Sequence, residues 1–301
     1  MAKKEIFKGV ATALITPLTE QGVDYAALER LINDQIAAGV DALVICGTTG
    51  EGSTLSDEEH REVLAFAAKV AAGRTVLIAG TGSNDTAYAI DLTRYACDIG
   101  YDAMLLVTPY YNKATQKGLV AMFKAIADAS TKPVILYNVP SRTGVNIEPE
   151  TYAALMDHPM ITSIKEANGN ISKIADTAFL VGDKLDIYSG NDDQIVPILS
   201  LGGKGVISVL SNVVPGLTKE ICEKFFEGDV RGSMELQLRL LPLIHALFCE
   251  VNPIPVKAAM YALGYCEDVV RLPLTNMEPA HRRVLQDEME KLGLKIVNPL
   301  Y

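Results

Sequence analysis

Ile161-Thr-Ser-Ile-Lys-Glu-Ala-Asn168 is a run of apolar and small residues around one lysine, with a helix start following at about Asn170. It reads as a short buried strand. Alternation along a strand puts Ile161, Ser163 and Lys165 on one face. A buried ammonium costs free energy, and proteins rarely keep one without a partner or a task. Desolvation disfavours its charged form and lowers its pKa. A lysine in that condition can attack a ketone and form a Schiff base. The plainer reading is a strand-end lysine whose head reaches back to water. This stretch alone leaves both readings open.

The same strand-then-helix unit recurs along the chain. Strands are predicted at Val10–Pro17, Ala42–Gly47, Thr75–Gly80, Ala103–Thr108, Pro133–Val139, Ile161–Glu166, Asp186–Ser189 and Gly205–Val209. Amphipathic helical patterns lie near Tyr25–Ala38, Asp57–Ala72, Asp85–Ile99, Gln116–Ala129, Pro149–Met156, Ile171–Leu180, Asp193–Leu201 and Pro215–Glu227. Strands alternating with helices call for a parallel sheet. Eight such units within residues 1–228 predict an α/β fold, a closed (β/α)8 TIM barrel. A doubly wound open sheet is the alternative, but the first strand–helix turn lacks its G-x-G-x-x-G. From Asp229 the strand signal stops. Gly232–Cys249, Ile254–Leu263 and Pro279–Leu292 read as three helices, so residues 229–301 form a C-terminal helical extension that packs on the barrel or mediates assembly, with no chemistry of its own. Asn252-Pro-Ile-Pro-Val-Lys257 reads as a rigid connector, its prolines ending one helix and starting the next.

The chain has 301 residues, 49% hydrophobic and 21% charged, with 27 Lys+Arg against 37 Asp+Glu and a net charge of −10. An acidic chain with no basic block is a poor candidate for nucleic acid or an anionic membrane, though a few local cations can still hold a small anion. Cys46, Cys97, Cys222, Cys249 and Cys266 are scattered and odd in number, which suggests free thiols in a reducing compartment. The N-terminal Met-Ala-Lys-Lys-Glu-Ile-Phe-Lys-Gly has charge but no apolar stretch after it, and no run approaches a membrane span, so the expected location is cytoplasmic.

In such a barrel the reactive groups stand just after each strand. Cys46-Gly-Thr-Thr-Gly-Glu51 lets the backbone approach a ligand, and its hydroxyls and N–H groups can hold a carboxylate. It can also be a plain turn into the next helix, which Ser56 and Glu59 cap on their own. Thr108-Pro-Tyr-Tyr-Asn112 puts two tyrosines at the rim, a common cover for a barrel mouth. Tyr137-Asn-Val-Pro-Ser-Arg-Thr-Gly144 adds a phenol that can carry a proton and a guanidinium that can grip a carboxylate. A metal-dependent reading lacks clustered ligands, since His60, His158, His245 and His281 are far apart and none ends a strand. Asp192-Asp193 reads as a helix start, Gly202-Gly-Lys-Gly205 as a turn, and Cys46 as a small buried hydrophobe.

Gly-Thr-Thr-Gly-Glu at 47–51, Tyr-Asn-Val-Pro-Ser-Arg-Thr-Gly at 137–144 and Ile-Lys-Glu-Ala at 164–167 together resemble the pyruvate-dependent class I aldolase superfamily. Within it, nearly the whole chain is similar to the dihydrodipicolinate synthase family. The resemblance implies an imine between Lys165 and pyruvate, with no metal or organic cofactor, and an enamine that attacks L-aspartate 4-semialdehyde on the way to diaminopimelate and lysine. It implies catalytic roles for Lys165, Tyr137, Thr48 and Tyr111, the last reaching across a subunit interface. It implies that Thr48 and Thr49 hold the pyruvate carboxylate and that Arg142 binds the semialdehyde and orients Tyr137. Gly190 and Ile207 would line the pocket. The siblings N-acetylneuraminate lyase and the 2-keto-3-deoxy sugar-acid aldolases share the lysine, the tyrosine and the loop. They have no use for a cation where Arg142 stands. A keto-acid-binding barrel without turnover would not need a nucleophile beside a proton carrier.

The family also implies a homotetramer, a dimer of tight dimers, and in lysine-inhibited members an allosteric site at the dimer interface that His60, Asn84 and Tyr110 match. Asp57 and Tyr88 stand where sensitive members tend to have His and Glu, so weak sensitivity or insensitivity to lysine is expected.

Overall fold

Short buried runs of Val, Ile, Leu and Ala make the strands, because residues covered on both faces have no polar alternation to keep. The computed structural model describes residues 5–301; the first four residues of the predicted N-terminal reading lie outside it. Eight parallel strands close into a barrel: β1 Gly9–Ala13, β2 Ala42–Ile45, β3 Val76–Gly80, β4 Ala103–Val107, β5 Val134–Asn138, β6 Ile161–Glu166, β7 Asp186–Ser189 and β8 Gly205–Ser208. β1 pairs with both β8 and β2, so no edge is left and the open-sheet alternative is out. The helices after the strands are α1 Tyr25–Ala37, α2 Asp57–Ala71, α3 Thr86–Asp98, α4 Gln116–Asp128, α5 Pro149–Leu155, α6 Ile171–Val181, α7 Ile195–Ser200 and α8 Pro215–Phe226. Beyond them stand α9 Val230–Leu247, α10 Ile254–Ala262 and α11 Pro279–Lys291. Among the described residues no helix is long and apolar enough to cross a membrane.

Two apolar layers follow from strand alternation. One lies between sheet and helices. The other fills the barrel with small, branched aliphatic and aromatic side chains, among them Ala11, Ala42, Val44, Ile135, Tyr137 and Ile207. Phe7 stacks on Tyr188 inside it, and the Tyr188 hydroxyl donates to the Phe7 carbonyl.

The expected single face for Ile161, Ser163 and Lys165 is corrected. Val134 pairs with Ile161 but Ile135 pairs with Ser163, so the strand carries one extra residue, a bulge. That slip leaves Ile161 in the outer layer with Ile164. The predicted first strand also ends early. Past Ala13, Ile15 N–H donates to Asn212 and the Thr16 hydroxyl to the Gly50 carbonyl, so these residues tie rim loops together. The predicted helix from Asp193 opens instead as a 3-10 turn, Asp192–Gln194. A small hairpin, Leu18–Thr19 against Gly22–Val23, and a one-turn helix, Pro140–Thr143, were not evident in the pattern.

Candidate active site

Tyr137 and Lys165 are registered neighbours on β5 and β6 at the end of the barrel where chains leave the strands. Both point inward and are buried, Lys165 at 6% exposure. Lys165 Nζ stands 4.1 Å from the Tyr137 ring centroid. Among the described residues it makes no hydrogen bond or ion pair. The snorkelling reading of Lys165 therefore fails. The neighbouring carboxylate is that of Asp192, whose pKa is raised by burial and drawn back by Ser208, by the Leu210 and Val209 N–H groups and by the Lys165 charge. Asp192 Oδ2 accepts from Val209 and Leu210 N–H, at 3.0 and 2.9 Å, while Oδ1 has no partner. Read from sequence as a helix start, Asp192 also joins the ends of β7 and β8.

One pair along the same strands, Asn138 and Glu166 face the opposite way. Asn138 Nδ2 donates to both carboxylate oxygens, at 3.0 and 3.3 Å, the Tyr152 hydroxyl to one of them and Asn168 N–H to the other. Burial outweighs these donors and raises the Glu166 pKa to about 7. Gly190 follows β7, and a Cβ there would stand 3.2 Å from Lys165 Cε, so its bareness leaves room for the lysine stem. Ile207 lies in the barrel-filling layer with Tyr137.

The glycine loop turns sharply after β2. Cys46 and Glu51 both take left-handed φ, 55° and 52°. Cβ atoms on Gly52 or Gly80 would lie 2.3 and 2.4 Å from the Cys46 carbonyl oxygen, so both glycines are required by close packing. The Cys46 thiol is buried and its pKa is pushed up, as expected of a small hydrophobe.

A cavity of about 580 Å³ opens beside these groups, lined by Thr48, Tyr137 and Arg142 and extending to His60, Tyr88 and Tyr110. Lys165 is set behind its Tyr137 wall. Thr49 is buried behind the loop, where its hydroxyl accepts from Asn252 Nδ2 at 3.1 Å. Arg142 sits on the one-turn helix and donates to the Asn252 carbonyl at 3.1 Å, with no hydrogen bond to Tyr137 among the described residues. Tyr111 is 94% exposed with φ 70° and does not line this cavity. His60 Nε2 lies 3.0 Å from the Gly80 carbonyl, and burial lowers the imidazole pKa. Asn84 Nδ2 donates to the Tyr110 carbonyl. Asp57 is held by Arg61 and then by the Tyr88 hydroxyl.

The extension packs against the glycine loop, one of the two roles expected of it. Lys257 Nζ donates to Glu51 Oε1 at 2.5 Å and Arg271 N–H to Glu51 Oε2 at 3.0 Å. The Arg271 guanidinium takes Glu59 bidentately and holds its pKa down at about 2. Sequence reading missed Lys257 because a lysine within a helical pattern is ordinarily a solvated one. The available signal was its setting, Ile-Pro-Val before it and Ala-Ala-Met after.

A family model described as the dihydrodipicolinate synthetase family matches residues 6–292. A relative from Lachnoclostridium phytofermentans, 4-hydroxy-tetrahydrodipicolinate synthase, is 55% identical over 96% of this chain and 99% of its own. The crystal structure of dihydrodipicolinate synthase from Aquifex aeolicus superposes with a TM-score of 0.95 at 44% identity, covering 97% of this chain and all of that one. The chloride-inhibited enzyme of Acinetobacter baumannii, solved with pyruvate, gives a TM-score of 0.93 at 42% identity over 96% and 99% of the two chains.

Proposed function

The chain belongs to the dihydrodipicolinate synthetase family, and on that premise we propose that it condenses pyruvate with L-aspartate 4-semialdehyde through an imine on Lys165. The product is 4-hydroxy-tetrahydrodipicolinate, on the route to diaminopimelate and lysine. The observation that carries the reading is the unpaired, buried Lys165 ammonium 4.1 Å from the Tyr137 ring.

Lys165 Nζ, once neutral, adds to the ketone carbon of pyruvate, and loss of water gives the imine. Loss of a methyl proton gives the enamine, with the imine nitrogen as electron sink, so the reaction calls on no metal or organic cofactor. The enamine carbon attacks the aldehyde of the semialdehyde, whose oxygen takes up a proton. The semialdehyde amine then attacks the imine carbon, closes the ring and expels Lys165. Tyr137 carries protons to and from the reacting atoms. Thr48 relays them between Tyr137 and Tyr111 of a partner subunit. The Thr48–Thr49 segment binds the pyruvate carboxylate, Arg142 the semialdehyde carboxylate, and Gly190 and Ile207 shape the pocket.

The assembly is a homotetramer built from tight dimers, working in the cytoplasm, where its five free thiols stay reduced. The 94% exposed Tyr111 supports a shared site, and exposed Phe179, Met234 and Leu238 support a second contact. Lysine at the His60, Asn84 and Tyr110 site inhibits weakly or not at all, because Asp57 already serves Arg61 and Tyr88.

The test is pyruvate with borohydride, read by intact and peptide mass. A reduced pyruvyl adduct on Lys165, absent from Lys165→Ala, is expected. Folded protein that forms no adduct removes the nucleophile assignment.

A further inference from the structure

Glu51 and Lys257 have no part in the chemistry above, yet they form a buried ion pair next to it. Lys257 is 0% exposed and Glu51 3%. Both Glu51 oxygens are taken by the extension, Oε1 by Lys257 Nζ and Oε2 by Arg271 N–H. The Glu51 backbone is left-handed, a strained state for a residue with a side chain, and such strain persists only where the surroundings hold it. Thr49, two residues earlier, is held from the same extension by Asn252, whose carbonyl also receives Arg142. The extension thus grips the loop at two points and the Arg142 turn at a third.

Taking two charges out of water offsets much of their mutual attraction, so an apolar pair of similar volume would serve stability about as well. A charge-assisted hydrogen bond adds direction: it fixes where the carboxylate, and with it the turn, must stand. Resting on the reading of the loop as the pyruvate-carboxylate site, we propose that Lys257 and Glu51 are positioning residues for pyruvate, their pair setting the turn that presents Thr48 and Thr49. Neither touches the substrate. The extension is then part of the substrate-recognition apparatus and not only a packing appendage.

The test compares full-length wild type, Lys257→Met, the double variant Glu51→Gln/Lys257→Met and Thr49→Ala. The readouts are thermal midpoint, the pyruvate concentration giving half-maximal borohydride-trapped adduct, and KM for the semialdehyde. Lys257→Met leaves a buried charge unpaired and is expected to lower the midpoint. The double variant has no unpaired charge and is expected to regain most of it. Both are expected to need about tenfold more pyruvate or higher for half-maximal trapping, with KM for the semialdehyde changing far less. A folded double variant with wild-type pyruvate half-saturation overturns the proposal, as does a double variant that cannot fold, which assigns the pair to folding. Thr49→Ala separates the two levels. If it leaves pyruvate half-saturation unchanged, the carboxylate-loop reading fails and the proposal with it. If it raises half-saturation while the pair variants do not, the proposal alone fails.

Discussion

At the scale of single residues, the site depends on what Lys165 lacks. Lys165 makes no hydrogen bond or ion pair among the described residues and stands over the Tyr137 ring face, with the Asp192 carboxylate nearby. In the proposed reaction the phenol oxygen, and not the ring, carries the protons, so Tyr137→Phe should keep the fold and the lysine. Turnover should fall by roughly 100- to 10,000-fold, with trapping on Lys165 slowed but still detectable; steady-state rates near wild type would remove Tyr137 from proton transfer. Glu166 gives a prediction about pH. Its native pKa is raised from 4.5 to about 7. Between those values the native state holds a proton that the unfolded chain has released. The group's stabilising contribution is therefore complete below pH 4.5 and lost as pH rises through 7, a change on the order of 3 kcal/mol. Glu166→Gln cannot titrate, so denaturant unfolding should show the stability of wild type relative to this variant falling across that window. A flat difference would contradict the raised pKa. Lys165 was legible in the sequence because a charge inside an apolar run is an anomaly. Glu166, one residue on, was not, since a carboxylate ending a strand is ordinary and its partners Asn138 and Tyr152 are distant in sequence.

Among the elements, the glycine loop is the one whose geometry is narrowly set. Gly80 ends β3 directly against the Cys46 carbonyl, and a Cβ would sit 2.4 Å from that oxygen. Backbone cannot yield there as a flexible side chain would. Gly80→Ala should cost about 1–3 kcal/mol by overpacking, and it should weaken pyruvate trapping because the displaced atoms belong to the loop. Ser56→Ala acts on the neighbouring helix without touching the loop. Ser56 Oγ accepts from Glu59 N–H while Glu59 accepts from Ser56 N–H, a complete capping box. Its removal should cost about 1 kcal/mol in thermal or denaturant unfolding and leave pyruvate half-saturation unchanged. Equal pyruvate effects from the two variants would mean that the loop senses stability in general. The strands were legible as continuous apolar runs and the helices as amphipathic periods, several opened by a capping side chain such as Asp24, Ser56, Asp85, Thr115 or Asn170. The β6 bulge was not, because a register is a relation between two strands and neither sequence contains it. The hairpin and the Pro140–Thr143 turn are too short to show a period.

For the whole molecule, the exposed aromatic residues carry the argument. Tyr111 stands outside the cavity of its own chain, 94% exposed in a left-handed backbone state. A phenol that serves a partner's site makes catalysis a property of the pair of subunits, and this can be tested without a structure of the assembly. Lys165→Ala and Tyr111→Phe should each be nearly inactive alone. In a mixed dimer, the Tyr111→Phe chain supplies an intact Lys165 and the Lys165→Ala chain an intact Tyr111, so one complete site reappears. Dissociating and reassembling the two variants together should give activity well above their sum. If Tyr111 serves its own chain, no mixed dimer contains a complete site and no gain appears. The second surface separates from the first by the same logic. Phe179 on α6 and Leu238 on α9 are 86% and 54% exposed, and neither lines the cavity. For the proposed tetramer, Phe179→Asp combined with Leu238→Asp should halve the sedimenting mass, because burying two unpaired carboxylates at an apolar contact costs more than the contact returns. Complementation between the Lys165 and Tyr111 variants should survive that halving, because the surface that completes each site is not the one that has been cut. Loss of complementation together with the larger assembly would place Tyr111 and Phe179 on one interface and require a different arrangement of subunits.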